Sequence, residues 1–378
     1  MKLNFVIEKD SVGLQTLDWF YAHRQFINSH KNYKSDFEIV FNEQFEKCDK
    51  NILYTNMCEQ IQHNIHDFDL VLIDNAGESL EVSTPFMKDT VEKYPHVFLL
   101  CGAFVPTEHP LHYKIIPYNH CLQRFRKSYT EGFYPNFYES PTNLSLRERK
   151  HNFYFIGGAN RSWRWYFSEQ LKSKCNFVDQ RPNQRRLIKT LDCQFETDHD
   201  TAFRNFVNRD IEYHPDEEVD LHYYSDTVYA GINRKFGEIA QGLFLLPQYR
   251  EYRCVIFPES GWINNQFFMT EKVFKCFVAE CLPMPISGSN TCKFYREHGF
   301  YTLLDLCPAS LQQVDQIENH VERYQAMIEV IQWVNDHISV LYSEEAQHMV
   351  KSNKNNLFDC KLNYTTTTAL SNLFQRYQ

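Results

Sequence analysis

Thr270-Glu271-Lys272 sets a carboxylate beside an ammonium at the start of a run, Val273 to Glu280, whose apolar positions recur at helical spacing. A carboxylate there can accept hydrogen bonds from a ribose diol, while the ammonium and the positive end of a helix both favour a diphosphate. Thr270 suits the N-cap, because its hydroxyl can satisfy an amide of the first turn. The flanking residues supply the elements that would hold this pair. Arg253 to Phe257 is a short β-rich apolar run, broken at Pro258, Glu259, Ser260 and Gly261, where a ligand-facing loop is expected. Pro283 and Pro285 are expected to stop the helix, and Met284 to Ile286 reads as a second apolar strand, with Gly288 just after it. Strand, loop, helix, strand is the order of a Rossmann-like unit. An ordinary exposed helix start would carry the same three residues, so spacing alone leaves both readings open.

A second anion cradle is legible upstream. Phe153 to Ile156 is a strand pattern that runs through Gly157-Gly158 into a helix with Arg161 and Arg164 in its first turn, which would offer backbone amides, a positive helix end and guanidinium forks. The pattern is not Gly-x-Gly-x-x-Gly, so a nicotinamide cofactor is not expected. Residues 120–190 hold 14 Lys and Arg against 5 Asp and Glu, a net of +9, whereas the rest of the chain is at −18. Such a window suits a diphosphate, and through Arg124, Arg126, Lys127, Arg181, Arg185 and Arg186 it would suit a nucleic acid as well. Solvated loop charges are the plain alternative.

The 378 residues suffice for two domains with separate cores, and 43% hydrophobic against 23% charged residues reads as a soluble globular protein. No apolar run approaches bilayer length, and Met1-Lys2-Leu3-Asn4 leads into a strand pattern rather than a signal peptide, so a cytoplasmic location is expected. Twelve cysteines include no Cys-x-x-Cys, and most, such as Cys101, Cys254, Cys276 and Cys281, sit in apolar runs as small core residues. The pairs His63/His66 and His109/His112 have no matching third ligand. Asp67-x-Asp69 and Asp198-x-Asp200 match a metal-binding spacing but are not at the end of a convincing strand, so no required metal is expected.

The first third alternates strands and helices. Leu3 to Ile7, Phe37 to Phe41, Ile52 to Tyr54, Asp69 to Ile73, Val97 to Cys101 and Lys114 to Ile116 are β-rich, with helical stretches at Met57 to His66 and Phe86 to Tyr94. That alternation implies a parallel sheet with helices on both faces. The expected organisation is α/β throughout: a Rossmann-like N-terminal domain over 1–120, a connection over 121–150, a second Rossmann-like domain over 151–308 that includes a strand at Asn176 to Val178, and a helical tail over 309–378. In that tail, Leu311 to Ser343 has helical spacing with Glu322-Arg323 on the polar side. Tyr223-Tyr224-Ser225-Asp226, before Tyr229, is a polar aromatic patch able to stack on a ring, although tyrosine is common in this chain.

Phe257-Pro258-Glu259-Ser260, Phe268-Met269-Thr270-Glu271-Lys272, Pro283-Met284-Pro285-Ile286 and Gly288 together resemble the donor motif of the α1,3-fucosyltransferases, in which Phe-Glu-Asn, Thr-Glu-Lys and a Val-Pro-Val strand with a glycine follow in order. Phe268 to Lys275 with Gly299-Phe300-Tyr301-Thr302 is similar also to glycosyltransferases of tailed phages. The close match covers about fifty residues, and it departs at Pro258 and at Ser260, which replaces the motif asparagine. The resemblance implies the two-domain GT-B architecture, with two Rossmann-like halves facing a cleft. It also implies a GDP- or UDP-linked sugar as co-substrate, Glu259, Thr270, Glu271 and Lys272 at the donor, and Arg161 or Arg164 on its phosphates. Inversion in that family uses a carboxylate of the N-terminal domain. Asp74, which follows the strand Asp69 to Ile73, is the first choice for this base, with Glu78 and Glu108 in reserve. Asp74 as a simple turn former stays open. The expected activity is inverting transfer to a sugar hydroxyl of a surface glycan or lipopolysaccharide. The alternatives are transfer to a hydroxymethylated pyrimidine in DNA and a non-catalytic nucleotide-sugar or glycan binding module.

Overall fold

Short runs rich in Val, Ile, Leu and Phe, bounded by polar turn residues, form two parallel sheets. The computed structural model describes residues 2–7, 38–41, 50–55, 64–75, 85–105, 107–117, 122, 144–157, 167, 170–171, 177–180, 246–259, 266–359, 369 and 372–373. Contacts divide the chain into two compact units. One comprises Met1–Glu131, Asn265–Met269 and Cys360–Gln378; the other comprises Gly132–Asn264 and Thr270–Asp359.

In the first unit β1 (Lys2–Ile7), β2 (Glu38–Phe41), β3 (Lys50–Thr55), β4 (Leu70–Asn75), β5 (Val97–Cys101) and β6 (Ile115–Pro117) lie in the order β2-β1-β3-β4-β5-β6. Every pairing is parallel. Leu53, Val71, Ile73, Leu99 and Cys101 form one face of this sheet and pack with Met87 and Val91 of α1 (Pro85–Lys93). The alternate residues Ile52, Tyr54, Leu70, Leu72 and Leu100 are buried as well. Burial on both faces is why these strands read as continuous apolar runs, and each large side chain removed from water contributes about 1.5–3 kcal/mol. Buried Lys114 pins the turn before β5: its Nζ donates to the carbonyls of Tyr94 (2.9 Å), Pro95 (2.6 Å) and Val97 (3.1 Å). Burial lowers the pKa of this lysine. The chain returns to this unit at 265–269, where Phe267 pairs antiparallel with Phe104 and Phe268 enters the core.

The second unit has β7 (His151–Gly157), β8 (Phe177–Gln180), β9 (Tyr252–Pro258) and β10 (Leu282–Ile286) in the order β10-β9-β7-β8, again all parallel. Its described helices are α2 (Leu246–Glu251), α3 (Glu271–Val278), α4 (Thr291–Glu297), α5 (Ala309–Gln312), α6 (His320–Asp336) and α7 (Glu344–Asp359). Phe153, Phe155, Cys254, Ile256 and Met284 share one core with Tyr324, Ile331 and Val350, so the helices after residue 308 complete the hydrophobic centre of this unit. Buried Arg149 staples the amino ends of the strands, donating to the carbonyls of Tyr252 (2.7 Å), Ala279 (2.7 Å), Leu144 (3.3 Å) and Tyr249 (3.4 Å).

Three local expectations are corrected. α3 ends at Val278, ahead of the prolines: the amide of Cys281 bonds the carbonyl of Cys276 (3.0 Å) and that of Glu280 the carbonyl of Phe277 (3.2 Å). This is a Schellman stop with Glu280 at φ 52°, where glycine is usual. Pro283 and Pro285 lie instead within β10. Arg323 leaves the polar side of its helix altogether: it is fully buried and donates to the carbonyls of Ser287 (2.9 Å), Ile317 (2.5 Å) and Glu318 (3.4 Å) and to His320 Nδ1 (2.7 Å). These loop carbonyls give the buried guanidinium the acceptors that its burial requires.

Gly299-Phe300-Tyr301-Thr302 serves packing. Phe300 stacks on Phe277 of α3 at 4.4 Å between centroids, and Asn353 of α7 brackets the Tyr301 backbone, accepting from its amide at 2.7 Å and donating to its carbonyl at 2.8 Å. Gly299 has φ +81°, and a Cβ there would lie 2.7 Å from Asn356 Nδ2. Gly299→Ala is therefore expected to destabilise the protein by about 1–3 kcal/mol in urea denaturation. A pH prediction follows from His320, whose pKa falls to about 4, first through burial and then through Arg323. A histidine so depressed binds fewer protons folded than unfolded. Stability should thus be fully present above the ordinary pKa of 6.5 and decline as pH drops from there towards about 4. Melting temperatures measured across that window should show a flatter decline in His320→Gln.

Candidate functional site

Ligands of open parallel sheets bind beyond the carboxyl ends of the strands, where consecutive connections run in opposite directions. In the second unit β8 lies to one side of β7 and β9 to the other, so that point falls between β7 and β9. Pro258 closes β9 and Glu259 follows it. Glu259 is 0% exposed, and its amide continues the ladder by donating to the carbonyl of Ile286 at 3.0 Å.

The buried carboxylate of Glu259 organises what comes next. It accepts from Thr270 Oγ1 at 2.5 Å, from the Thr270 amide at 3.2 Å and from Tyr295 Oη of α4 at 3.3 Å. Thr270 is the N-cap of α3, and its Oγ1 accepts from the amide of Lys272 at 3.4 Å and from Lys272 Nζ at 3.2 Å. The ammonium therefore folds back over the first turn, adding its charge to the positive end of the helix. Burial, and then the Glu259 charge beside it, push the Tyr295 phenol well above its usual range, so it stays a donor. A helix end carrying an ammonium on a fixed cap is equipped to hold an anion such as a diphosphate.

A second buried carboxylate closes off the neighbouring helix. Asp315 accepts from the amides of Cys292 (3.0 Å) and Lys293 (2.8 Å) at the start of α4. Its pKa is raised by burial, against which these two amide bonds act.

In the first unit Asp74 stands at the carboxyl end of β4, partly exposed, and its Oδ2 accepts from the hydroxyl of Tyr54 on β3. Glu108 is exposed in the stretch after β5, accepting from Thr107 Oγ1 at 3.1 Å. Asp67 and Asp69 lie at the opposite end of β4. Asp69 accepts from the Asn51 amide at 2.8 Å and pairs with Lys50 at 3.5 Å, and Asp67 accepts from Asn64 Nδ2 at 3.1 Å. His109 Nδ1 accepts from the Leu111 amide at 3.1 Å, and burial, Lys88 and His112 lower its pKa. Among the described residues no group of three or more His, Cys, Asp or Glu is placed to hold a metal.

The structure thus brings Glu259, Thr270 and Lys272 together within one unit, with Glu271 between the last two in the chain as the first residue of α3. Glu78, Arg161, Arg164, Gly158, His63, Asp198, Asp200 and the Tyr223 to Tyr229 patch lie outside the described residues, as do Arg124, Arg126, Lys127, Arg181, Arg185, Arg186 and most of the helix expected over 57–66. Sequence reasoning missed Tyr295 and Tyr54. They stand 36 and 20 residues from the carboxylates they serve, and no local spacing marks them.

The bond from Thr270 to Glu259 makes a specific demand on residue 270. Thr270→Val, which leaves the buried carboxylate short of a donor, should cost about 2–4 kcal/mol in urea denaturation, whereas Thr270→Ser should stay near wild type.

No protein-family model matches the sequence, and no curated protein does. Among solved structures the chain is similar to an α1,3-fucosyltransferase, at a TM-score of 0.38 and 12% identity over 98% of this chain and 90% of the other. The same holds for that enzyme with GDP (TM-score 0.37, 12%, 98% and 90%) and with GDP-fucose (0.39, 13%, 100% and 90%). At TM-scores below 0.5 this likeness leaves the chemistry to be read from the side chains themselves.

Proposed function

We propose that the chain is an inverting glycosyltransferase of the GT-B class, moving a sugar from a GDP- or UDP-linked donor to a hydroxyl of a glycan or lipopolysaccharide in the cytoplasm. The observation that carries this reading is the capped start of α3, where the Lys272 ammonium sits 3.2 Å from the cap oxygen at the carboxyl edge of a parallel sheet. Glu271 would bind the ribose diol, and Lys272 with Arg161 or Arg164 the diphosphate. Thr270 and Glu259 would hold that turn in place, Glu259 from inside the fold. In transfer, the acceptor oxygen bonds the anomeric carbon as the bond to the phosphate oxygen breaks. The electron pair leaves with the nucleoside diphosphate, stabilised by the cations, and the hydroxyl proton passes to Asp74, with Glu78 as the second choice of base. The net +9 of residues 120–190 favours one further acceptor, hydroxymethylated DNA, for which salt-dependent duplex binding is the discriminating measurement.

Calorimetric titration with GDP, UDP and their sugar conjugates tests the reading. Glu271→Ala and Lys272→Ala should each weaken binding by about tenfold or more, the range of a charge-assisted hydrogen bond. Asp74→Asn should retain donor affinity while losing transfer. Unchanged affinity in both α3 variants would remove the basis for a donor site here.

A further inference from the structure

We propose that Tyr54 is the positioning residue of Asp74, a role that rests on reading Asp74 as the base. Tyr54 pairs in register with Leu72 across β3 and β4. Asp74, two residues beyond Leu72, therefore lies on the same face of the sheet as Tyr54 and diagonal to it, within reach of a long side chain. The Tyr54 hydroxyl uses that reach to donate to Asp74 Oδ2.

The two side chains differ in burial. Tyr54 is 1% exposed and locked among core residues, whereas Asp74 is partly exposed at the strand end. A carboxylate turns easily about its last torsion, which has broad minima. A phenol held in the core thus offers Asp74 Oδ2 a donor of fixed position. Packing alone would be met by phenylalanine, which fills the same space, so the hydroxyl is there for its partner. The location fits as well: β3 flanks the point between β1 and β3 where the first sheet's connections reverse direction. During transfer the acceptor proton goes to the carboxylate that Tyr54 orients, and the phenol keeps its own proton throughout.

The test uses the full chain with Tyr54→Phe, Asp74→Asn and the double variant. Release of GDP from GDP-fucose and of UDP from UDP-glucose is followed, with water standing in for the acceptor. Tyr54→Phe should lower kcat roughly ten- to a hundredfold, the penalty of a misplaced catalytic group. KM for the donor and the melting temperature should hardly change, and the double variant should be no slower than Asp74→Asn. In 13C-tyrosine spectra the Cζ resonance absent from Tyr54→Phe should move in Asp74→Asn. A stationary resonance, or full kcat in Tyr54→Phe beside an inactive Asp74→Asn, overturns the role of Tyr54 and leaves Asp74 as base. Full activity in Asp74→Asn, or no release by wild type from either donor, brings down the reading of Asp74 and this inference with it.

Discussion

A carboxylate with no access to water must be met by donors, and Glu259 is met by the amide and hydroxyl of Thr270 and by Tyr295. That requirement joins the end of β9, the start of α3 and the body of α4 at one point. The position of Lys272 is consequently set by a buried charge rather than by a surface loop. Any change that leaves Glu259 without its donors moves the helix end before it touches the ammonium.

Buried cations do similar work at other corners. Arg149 gathers carbonyls at the amino ends of the second sheet, Arg323 fixes the turn that leaves β10, and Lys114 closes the turn into β5. Each meets several main-chain oxygens at once, which turns an otherwise costly burial into a condition for one geometry. Apolar contacts hold the sheets and helices together, and these polar contacts fix where loops begin and end. Asp315 belongs to the same set, since it supplies the negative charge at the start of α4.

The strands were legible because both faces of a parallel sheet are buried, so that Val97 to Cys101 or Arg253 to Phe257 stand out as apolar runs. The start of α3 was legible because Thr270 caps by a local bond. Its end was not. Glu280 adopts a glycine-like φ and its carboxylate meets Lys354 of α7 at 2.5 Å, a partner 74 residues away that no local pattern announces. Arg323 misled because helical periodicity next to Glu322 places it outward, while the carbonyls it serves come from Ser287 after β10 and from Ile317 and Glu318 just ahead of its own helix. Of the candidate site, the residues adjacent in sequence were readable. Tyr54 and Tyr295, which act on carboxylates from neighbouring elements, were not.

The prolines of β10 carry one more consequence. Ile286 turns its carbonyl toward β9, so Leu282 and Met284 face β9 as well, while Pro283 and Pro285 face the other way. Along that outer margin every second residue lacks a donor, and a further strand would find acceptors but no amides to pair with. A strand added past β10 would forfeit the half of its ladder that those amides would have supplied, which disfavours extension of the described sheet on that side.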